Sequence, residues 1–498
     1  MVTTQRRAAR WILAALGAVL ALTAPLRSAQ AHPRLLSAEP AADSRLTTLP
    51  TRLSLTFSEQ LTLALSRLTL SDSAGRAVAL DTLRAGAGDA KSLTARIRGP
   101  LAPGRYLVRW QAAGADGHPL RGTYRFEILP EAIAPAPREA SLFSFGASED
   151  TEFGVESSSY VAIRAVLFAG AIALIGILSL TQLILPRVAR RLAAPGAAPV
   201  GAPVGAPVGA LVGALVGATE GGASAVTTMV AEATRRAWTV ASFVFVTIGV
   251  VTVARLVAQH ATMFGAGEHM SHGSIAALLT GSSWGRGWWL SIGASAIGVW
   301  GVRAVRRSRA YGVLSVGVAA LALATSLALS GHPAAASEPV LAIALDVAHV
   351  IGAGGWVGGL AAMMLLAVPS ALATGGEQQH EMVGELVRAF SPTALAFAGL
   401  VCVTGVLVAW RNLGAVDALW RSVYGQTLMV KLALLSVAAA AGAYNWRRVL
   451  PQLGSAGATV NLRRSAGVEL IAAVTVLVVT AILVATPMPS DAPAVVIR

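Results

Sequence analysis

The chain has 498 residues, of which 55% are hydrophobic and only 13% are charged. Soluble domains average about 25% charged residues, so this composition argues against a wholly soluble protein. The single cysteine, Cys402, excludes a disulfide framework and paired-cysteine metal sites. The formal net charge is +14, and no P-loop nucleotide motif is present in the sequence.

The first 31 residues are predicted to be a secretory signal peptide. Three arginines precede a short apolar run from Trp11 to Ala24, and Ala29-Gln30-Ala31 provides a small-residue cleavage site. The apolar run is short for a membrane span, which favours a cleaved signal over an anchor. Cleavage after Ala31 makes His32 the first residue of the mature protein.

Residues 32–130 are predicted to form an exported all-β domain. Apolar residues alternate with polar ones in four runs, which are Leu53 to Phe57, Leu68 to Leu70, Tyr106 to Trp110 and Tyr124 to Ile128. Glycine and proline clusters separate these runs. Short alternating runs with turn residues between them are typical of an antiparallel sandwich or barrel. A proline-rich, acid-bearing linker is predicted at residues 131–158.

Residues 159–487 are predicted to form an all-α polytopic membrane domain of about eight transmembrane helices, followed by a tail at 488–498. About 20 apolar residues are needed to cross roughly 30 Å of hydrocarbon. The eight runs that satisfy this are Tyr160–Leu185, Trp238–Ala258, Gly287–Val305, Ala310–Ser330, Val340–Val368, Pro392–Trp410, Gln426–Trp446 and Gly467–Thr486. A low-complexity tract at 193–222 repeats Ala-Pro-Val-Gly, and its prolines predict a cytoplasmic linker rather than a ninth span.

The positions of the arginines support this topology. With the β domain exported, fourteen arginines fall in the predicted inner loops, and only four fall in outer segments from the second span onward. This bias follows the positive-inside rule. We therefore predict a multi-pass protein of the bacterial cytoplasmic membrane with its β domain on the periplasmic side. The basic charge is then topological, so the lipid bilayer is a partner and a nucleic acid is not.

The sequence predicts a copper site in the β domain. A first-residue His32 offers its α-amine and its imidazole to one ion, and the amine has a pKa near 8, so Cu(II) displaces its proton at modest cost. Asp116-Gly117-His118 supplies a carboxylate and a second imidazole from one turn. Three nitrogens and one oxygen suit tetragonal Cu(II). The alternative for Asp116 and His118 is ordinary turn chemistry.

A second group of possible metal ligands lies on the predicted outer side of the membrane domain. These residues are His260, Met263, His269, Met270, His272 and His332. Imidazole binds copper and zinc, and thioether sulfur favours Cu(I). The alternative is a solvated polar loop that happens to contain histidines.

A third group lies within the predicted spans. Asp346 and His349 are three residues apart, hence on one helix face, and Asp346 lies roughly 9 Å inside the fifth span. Ionisable residues at such depth are costly in lipid and by default mark a pathway or site. Lys431 in the seventh span is either the partner of Asp346 or a side chain that extends outward to the interface. The alternative for the pair is hydrogen bonding between packed helices.

Three further features of the predicted spans are predicted to have structural roles rather than to bind a ligand. Glu469 lies near the inner end of the eighth span and is predicted to be interfacial. Cys402 is predicted to be a small core residue. The glycines between Gly352 and Gly359 are predicted to allow close helix packing rather than ligand binding.

Residues 32–130 resemble the CopC family of exported copper-binding proteins. The matching elements are His32-Pro33, Ser37-Ala38-Glu39-Pro40-Ala41, Phe57-Ser58-Glu59, Gly104-Arg105-Tyr106 with Trp110, Asp116-Gly117-His118-Pro119 and Gly122. The resemblance implies a Greek-key β fold and a Cu(II) site at the positions His32, Asp116 and His118. Some members also hold Cu(I) in a methionine-rich patch, but this domain has no methionine between His32 and Pro130.

The membrane half resembles CopD, a membrane partner implicated in copper uptake. The matching elements are Asp346 and His349, Trp356 with Gly358-Gly359, Tyr424-Gly425 leading to Lys431, and Glu469. Together the two resemblances predict a single-chain copper module that is not an enzyme. It would bind Cu(II) outside the membrane and transport copper, as Cu(II) or Cu(I), across it, driven by an ion or potential gradient.

Two alternatives remain at this stage. The first is a copper-sequestering or sensing protein that does not transport. The second is a membrane oxidoreductase that binds haem or quinone, which is disfavoured because only His349 lies clearly within a predicted span.

Overall fold

The computed structural model describes residues 35–58, 60–86, 89–114, 119–130, 158–192, 222–265, 267–336, 338–376, 378–452 and 456–486. The first part contains nine strands, β1 (Leu35–Glu39), β2 (Arg45–Leu46), β3 (Arg52–Phe57), β4 (Arg67–Asp72), β5 (Ala77–Val78), β6 (Arg84–Gly86), β7 (Asp89–Arg96), β8 (Gly104–Ala113) and β9 (Pro119–Ile128). The predicted signal segment, the predicted linker before residue 158 and the Ala-Pro-Val-Gly repeat lie outside the described residues.

The strands form two sheets that pack face to face. One sheet has the order β1-β3-β7-β6, and the other has the order β2-β9-β8-β4-β5. Neighbouring strands are antiparallel except for β2 and β9, which are parallel. The connections from β3 to β4 and from β7 to β8 cross from one sheet to the other, so the domain is a sandwich with one shared core.

The alternating runs of the sequence form the inner faces of this sandwich. Leu53, Leu55 and Phe57 on β3 are fully buried, and the Phe57 ring meets the Trp110 ring of β8 edge-on with centroids 5.3 Å apart. A side chain at Gly122 of β9 would overlap the indole of Trp110, so the glycine is required for this packing. The predicted all-β fold is confirmed. Side chains alternate between the two faces of each strand, so every second side chain packs into the shared core.

Ten helices follow the β domain among the described residues. They are α1 (Ser158–Leu192), α2 (Gly222–Phe264), α3 (His272–Thr280), α4 (Ser283–Arg306), α5 (Gly312–Leu329), α6 (Pro339–Leu372), α7 (Gln378–Leu413), α8 (Ala418–Arg421), α9 (Val423–Val449) and α10 (Ala456–Ala485). Short π-helical segments interrupt α1 and α6, and another forms the end of α9. The predicted helical membrane domain is confirmed.

Seven of these helices, rather than the eight predicted, are long and apolar enough to cross a membrane, within the described part of the chain. The remaining predicted span, Gly287–Val305, is third in chain order and does form a helix, α4. Glycine, serine, tryptophan and arginine dilute its apolar residues, so it falls outside this group. It nevertheless lies along its neighbours, because Gly298 packs against Phe245 of α2 and Gly301 packs against Val316 of α5.

The helix bundle has two chemically different ends. The β domain contacts the end of α2 at Thr262 and Met263, and we call this the β-domain end. Arg235 and Arg236 lie nearer the start of the same helix, and we call that side the arginine-rich end. Between the two ends α2 exposes a stripe of large apolar side chains, which are Phe243, Val246, Val250, Val253 and Val257. Such a stripe is suited to contact with lipid.

Candidate metal sites

The β domain is joined to the helix bundle by a buried polar contact. Gln111 on β8 is 7% exposed and donates its Nε2 amide to the carbonyl oxygens of Leu65 at 3.1 Å and Met263 at 2.8 Å. Arg121 donates to Gln111 Oε1 at 2.9 Å and to the carbonyl of Thr262. Burial lowers the pKa of the Arg121 guanidinium. These bonds fix strands β8 and β9 to the end of α2.

An apolar cluster surrounds this contact. It brings side chains of the β domain against the bundle, and its buried members are Leu65, Ala113, Met263, Leu278, Trp284 and Trp288. Thr62 donates to the carbonyl of Gly114 at 3.1 Å, directly after Ala113. The end of strand β8 is therefore anchored both within its own domain and on the bundle.

The three residues of the predicted Cu(II) site, His32, Asp116 and His118, lie outside the described residues. The residues that flank them are described. Leu35, the first residue of β1, is paired with Phe57, whose ring contacts Trp110 near the end of β8. The start of β1 and the ends of β8 and β9 that face residues 115–118 therefore lie at one end of the sandwich, the end that contacts the bundle.

An open cleft lies between the two domains beside this contact. It has a volume of about 280 Å³ and is lined by Ala64, Arg67, His260, Phe264, Glu268, His269, Ser271, Gly273, Ser274 and Ala277. Arg67 of β4 borders it, with its guanidinium 5.3 Å from the Phe264 ring centre and 3.9 Å from the Glu268 carboxylate. We call this the interdomain cleft.

His260 is the buried histidine of this cleft, with 2% of its surface exposed. Its Nε2 lies 3.0 Å from the Ser274 hydroxyl, and its ring packs on Phe264 with centroids 4.8 Å apart. The Ser274 hydroxyl donates to the Ser271 carbonyl, so it is placed to accept from His260 Nε2. With its proton on Nε2, the neutral imidazole has a lone pair on Nδ1. The neutral imidazole is the form that binds a metal.

The other predicted outer residues are divided among different environments. His269 lines the cleft, whereas Met270 and His272 are exposed outside its lining. Met263 is 1% exposed and packs in the apolar interface, because α2 continues to Phe264 and directs Met263 toward the β domain. His332 begins a short 3-10 helix. Among the described residues no group of three or more His, Cys, Asp or Glu is arranged to hold a metal ion.

Within the bundle, Asp346 and His349 lie on α6, as the sequence predicts. His349 Nδ1 is 3.0 Å from the Thr404 hydroxyl of α7, and this hydroxyl donates to the Leu400 carbonyl at 2.6 Å. Thr404 therefore accepts from His349, which leaves the imidazole Nε2 with a lone pair. Gly405 makes room for the ring, since a Cβ there would lie 3.3 Å from it.

Lys431 of α9 lies close enough to Asp346 for electrostatic attraction. Tyr424 lies near the same carboxylate, and its hydroxyl accepts a hydrogen bond from Asn412 at 2.8 Å. At 1.5 Å per residue, Asp346 and Lys431 are about 10 and 12 Å from the starts of α6 and α9. The structure thus brings the three predicted residues Asp346, His349 and Lys431 to similar depth near the β-domain end.

A second polar layer lies deeper, at Glu469. Its carboxylate is 5% exposed and is hydrogen-bonded to Trp356 and Asn445, with Gly442 leaving space beside it. The sequence predicts Glu469 at the inner membrane interface, and in the structure α10 directs its side chain toward α6 and α9. Sequence reasoning missed this layer, and its only sequence signal was a carboxylate within an apolar run.

The prediction for the glycines of α6 agrees with the structure, and the prediction for Cys402 does not. The glycine interpretation is confirmed, because side chains at Gly354 and Gly358 would overlap α1, and side chains at Gly352 and Gly355 would overlap α7. The prediction that Cys402 is a core residue is wrong, because it lies on the exposed surface of α7.

Family models match two separate parts of the chain. A CopC domain matches residues 35–129, and Copper resistance protein D matches residues 384–483. Copper resistance protein C of Escherichia coli is 37% identical over 107 residues, which cover 20% of this chain and 84% of that protein. Copper transport protein CutJ of Bacillus subtilis is 30% identical over 165 residues, which cover 33% of this chain but only 29% of CutJ.

Solved structures of two copper proteins are also similar to the β domain. The crystal structure of PcoC, a methionine-rich copper resistance protein from Escherichia coli, has 37% sequence identity and a TM-score of 0.18, and the match covers 20% of this chain and 99% of that one. CopC from Methylosinus trichosporium OB3b has 28% identity and a TM-score of 0.19, and the match covers 21% of this chain and all of that one, at 100%.

Proposed function

Because the chain belongs to the CopC family through residues 35–129 and carries a CopD domain at residues 384–483, we propose that it binds copper outside the cytoplasmic membrane and imports it across the bilayer. In this proposal the β domain is periplasmic and the protein contributes to copper homeostasis or resistance. No chemical transformation of a substrate is part of the proposal, and copper is the cargo.

The first step is capture of Cu(II) by His32, Asp116 and His118. The amine and imidazole of His32, the imidazole of His118 and the carboxylate of Asp116 provide three nitrogens and one oxygen, a set suited to tetragonal Cu(II). The fold supports their meeting, because the start of β1 and the ends of β8 and β9 lie at one end of the sandwich.

The observation that carries the proposal is the anchoring of that end on the bundle beside the interdomain cleft. Gln111 and Arg121 hold β8 and β9 on the last turn of α2, and His260 lies in that turn. A tethered donor site raises the local copper concentration at an acceptor without any new contact. We therefore assign His260 and His269 to the second step, with a neutral imidazole as the ligand in each.

The third step uses the polar layer within the bundle. His349 presents a lone pair on Nε2, and Asp346 supplies a carboxylate three residues away. Lys431 offsets the charge of Asp346 when no cation is bound, so a copper ion at the carboxylate competes with the ammonium for this attraction. An inward-negative membrane potential contributes about 2.3 kcal/mol per charge per 100 mV, which favours import of a cation.

Sequestration without transport is the second candidate. One observation favours it, since the described residues contain no preassembled group of three metal ligands in the bundle. Sequestration needs the β-domain site alone, whereas transport also needs Asp346 and His349.

Radiocopper uptake into proteoliposomes distinguishes the two candidates. We expect the wild type to take up radiocopper and the variants His349→Ala and Asp346→Asn to lose most of this uptake. Uptake should be unchanged in Cys402→Ser, a control at a lipid-facing position on α7. Copper binding to the β domain should be equal in all four proteins. No uptake by the wild type despite full copper binding would favour sequestration, and equal uptake by all four would contradict the proposed path.

A further inference from the structure

A tight hairpin joins α4 to α5 at the arginine-rich end. The amide of Arg309 donates to the carbonyl of Ala304 at 2.9 Å, and Ser308 has a left-handed φ of 53°. A Cβ at Gly312 would overlap the main chain of Val305, so the two helix ends approach closely. This turn concentrates four exposed arginines in seven residues, at positions 303, 306, 307 and 309.

The hairpin encloses a small basic cleft. Its volume is about 140 Å³, and it is lined by Trp300, Arg303, Ala304, Arg307, Arg309 and Tyr311. The Trp300 and Tyr311 rings stack with centroids 5.0 Å apart and planes inclined by 14°. The two rings are 53% and 47% exposed, so they form an open wall. We call this the hairpin cleft.

The arginines of the hairpin cleft differ from others at the same end of the bundle. Elsewhere at this end, Glu232 binds Arg235 and Arg236 at 2.7 and 2.6 Å, and Glu385 binds Arg388 and Arg191. In the described part of the chain, by contrast, no carboxylate lies within 4.0 Å of the four hairpin guanidiniums. Arg306 donates to the Thr239 hydroxyl at 3.1 Å, and Arg303, Arg307 and Arg309 face the cleft.

The hairpin cleft also lies at the depth of a membrane surface. Arg306 contacts α2 at Thr239, and the β domain contacts α2 at Thr262. The 23 residues between these positions span about 35 Å of helix, compared with about 30 Å of hydrocarbon in a bilayer. The cleft and the β domain are therefore one membrane thickness apart, which places the cleft at a lipid headgroup layer.

We propose that the hairpin cleft binds the phosphate of an anionic phospholipid headgroup. Guanidinium groups bind phosphate oxygens through paired charge-assisted hydrogen bonds, and basic pockets at helix ends recognise anionic headgroups. Tryptophan and tyrosine favour the headgroup layer, so the Trp300–Tyr311 wall contacts the glycerol region while the arginines hold the phosphate. This inference is independent of copper.

Thermal unfolding of the purified full chain in detergent tests the proposal. Mixed micelles with dioleoyl phosphatidylglycerol are compared with micelles that contain phosphatidylcholine, and a third arm adds inorganic phosphate at the same phosphate concentration. The test variant is Arg307→Gln/Arg309→Gln. The control Arg463→Gln/Arg464→Gln removes two exposed charges from α10 and leaves the cleft intact.

We expect phosphatidylglycerol, but not phosphatidylcholine or inorganic phosphate, to raise the Tm of the wild type and of the control. The gain should fall by more than half in Arg307→Gln/Arg309→Gln. No gain in the wild type, or an equal gain in both double variants, would overturn the proposal. A gain of equal size with inorganic phosphate would also overturn it, because the ligand would then be a free anion rather than a lipid.

Discussion

Gln111 of strand β8 donates its side-chain amide to the main-chain carbonyl of Met263, 2.8 Å away and 152 residues further along the chain. This bond joins the strand that precedes the predicted copper turn to the helix that carries His260. Its two ends belong to the β domain and to the helix bundle. In the proposed function, this buried amide connects the domain that captures copper to the helix that receives it.

Replacing this amide should loosen the contact between the domains. Gln111→Ala leaves the carbonyls of Leu65 and Met263 without their donor, and a buried polar group without its hydrogen bond costs about 1–3 kcal/mol. We expect hydrogen–deuterium exchange of the peptide around Met263 to accelerate about tenfold or more. Gln60→Ala removes an exposed glutamine from the same domain and should leave exchange unchanged. Equal protection in both variants would show that the contact does not hold the domains together.

The interdomain cleft should control transfer rather than capture. We expect His260→Ala/His269→Ala to slow radiocopper uptake several-fold while Cu(II) binding to the β domain is retained, since both imidazoles line the cleft. His272→Ala is the matched control, because His272 is exposed outside the cleft lining and should transport normally. Normal uptake by the double variant would remove the cleft from the route.

Thr404 should act on transport through His349. Its hydroxyl fixes the imidazole tautomer, and loss of such a supporting hydrogen bond reduces metal affinity or activity by about 10–100-fold. Thr404→Val keeps the volume and removes the acceptor, so we expect uptake to fall by about tenfold or more. Thr404→Ser keeps the hydroxyl and should retain most of the activity. Similar uptake rates for the valine and serine variants would exclude this positioning role.

The contact between α1 and α6 should tolerate no side chain. A Cβ at Gly176 would overlap the main chain of Gly358, and overpacking of this kind costs about 1–3 kcal/mol. We expect Gly176→Ala to lower the Tm of the detergent-purified protein. Gly317→Ala on α5 has open space around it and should be neutral, or stabilising by up to about 1 kcal/mol, because alanine favours helix. Equal Tm values for the two variants would show that α1 and α6 can separate without cost.

The sequence predicts the repetitive parts of this fold well. Leu53, Leu55 and Phe57 specify an inner sheet face because the period of a strand is two, and long apolar runs specify helices because a bilayer has a fixed thickness. Asp346 and His349 are found by the same argument, since ionisable residues in such runs are rare. Prediction from hydropathy is less successful for helix α4. Its glycines allow packing against Phe245 and Val316, but they also lower the mean hydropathy of the helix.

Contacts between distant parts of the chain cannot be read from local patterns. Met263 lies in a string of possible metal ligands, but one more turn of α2 than expected places it in the interface with Leu65. The hydrogen bonds of Glu469 to Trp356 of α6 and Asn445 of α9 are likewise not predicted from its position in an apolar run. In both cases the contacting residue lies more than 80 residues away or on another helix. The spacing of residues along the sequence therefore does not reveal the contact.

The most direct test of the copper-capture claim is the electron paramagnetic resonance spectrum of one equivalent of Cu(II) bound to the mature chain, whose first residue is verified in the same sample. We predict that the chain begins at His32 and that coupling to three nitrogens reduces to two in His118→Ala. A mature chain that begins at another residue, or a spectrum unchanged in His118→Ala, would contradict capture by His32, Asp116 and His118.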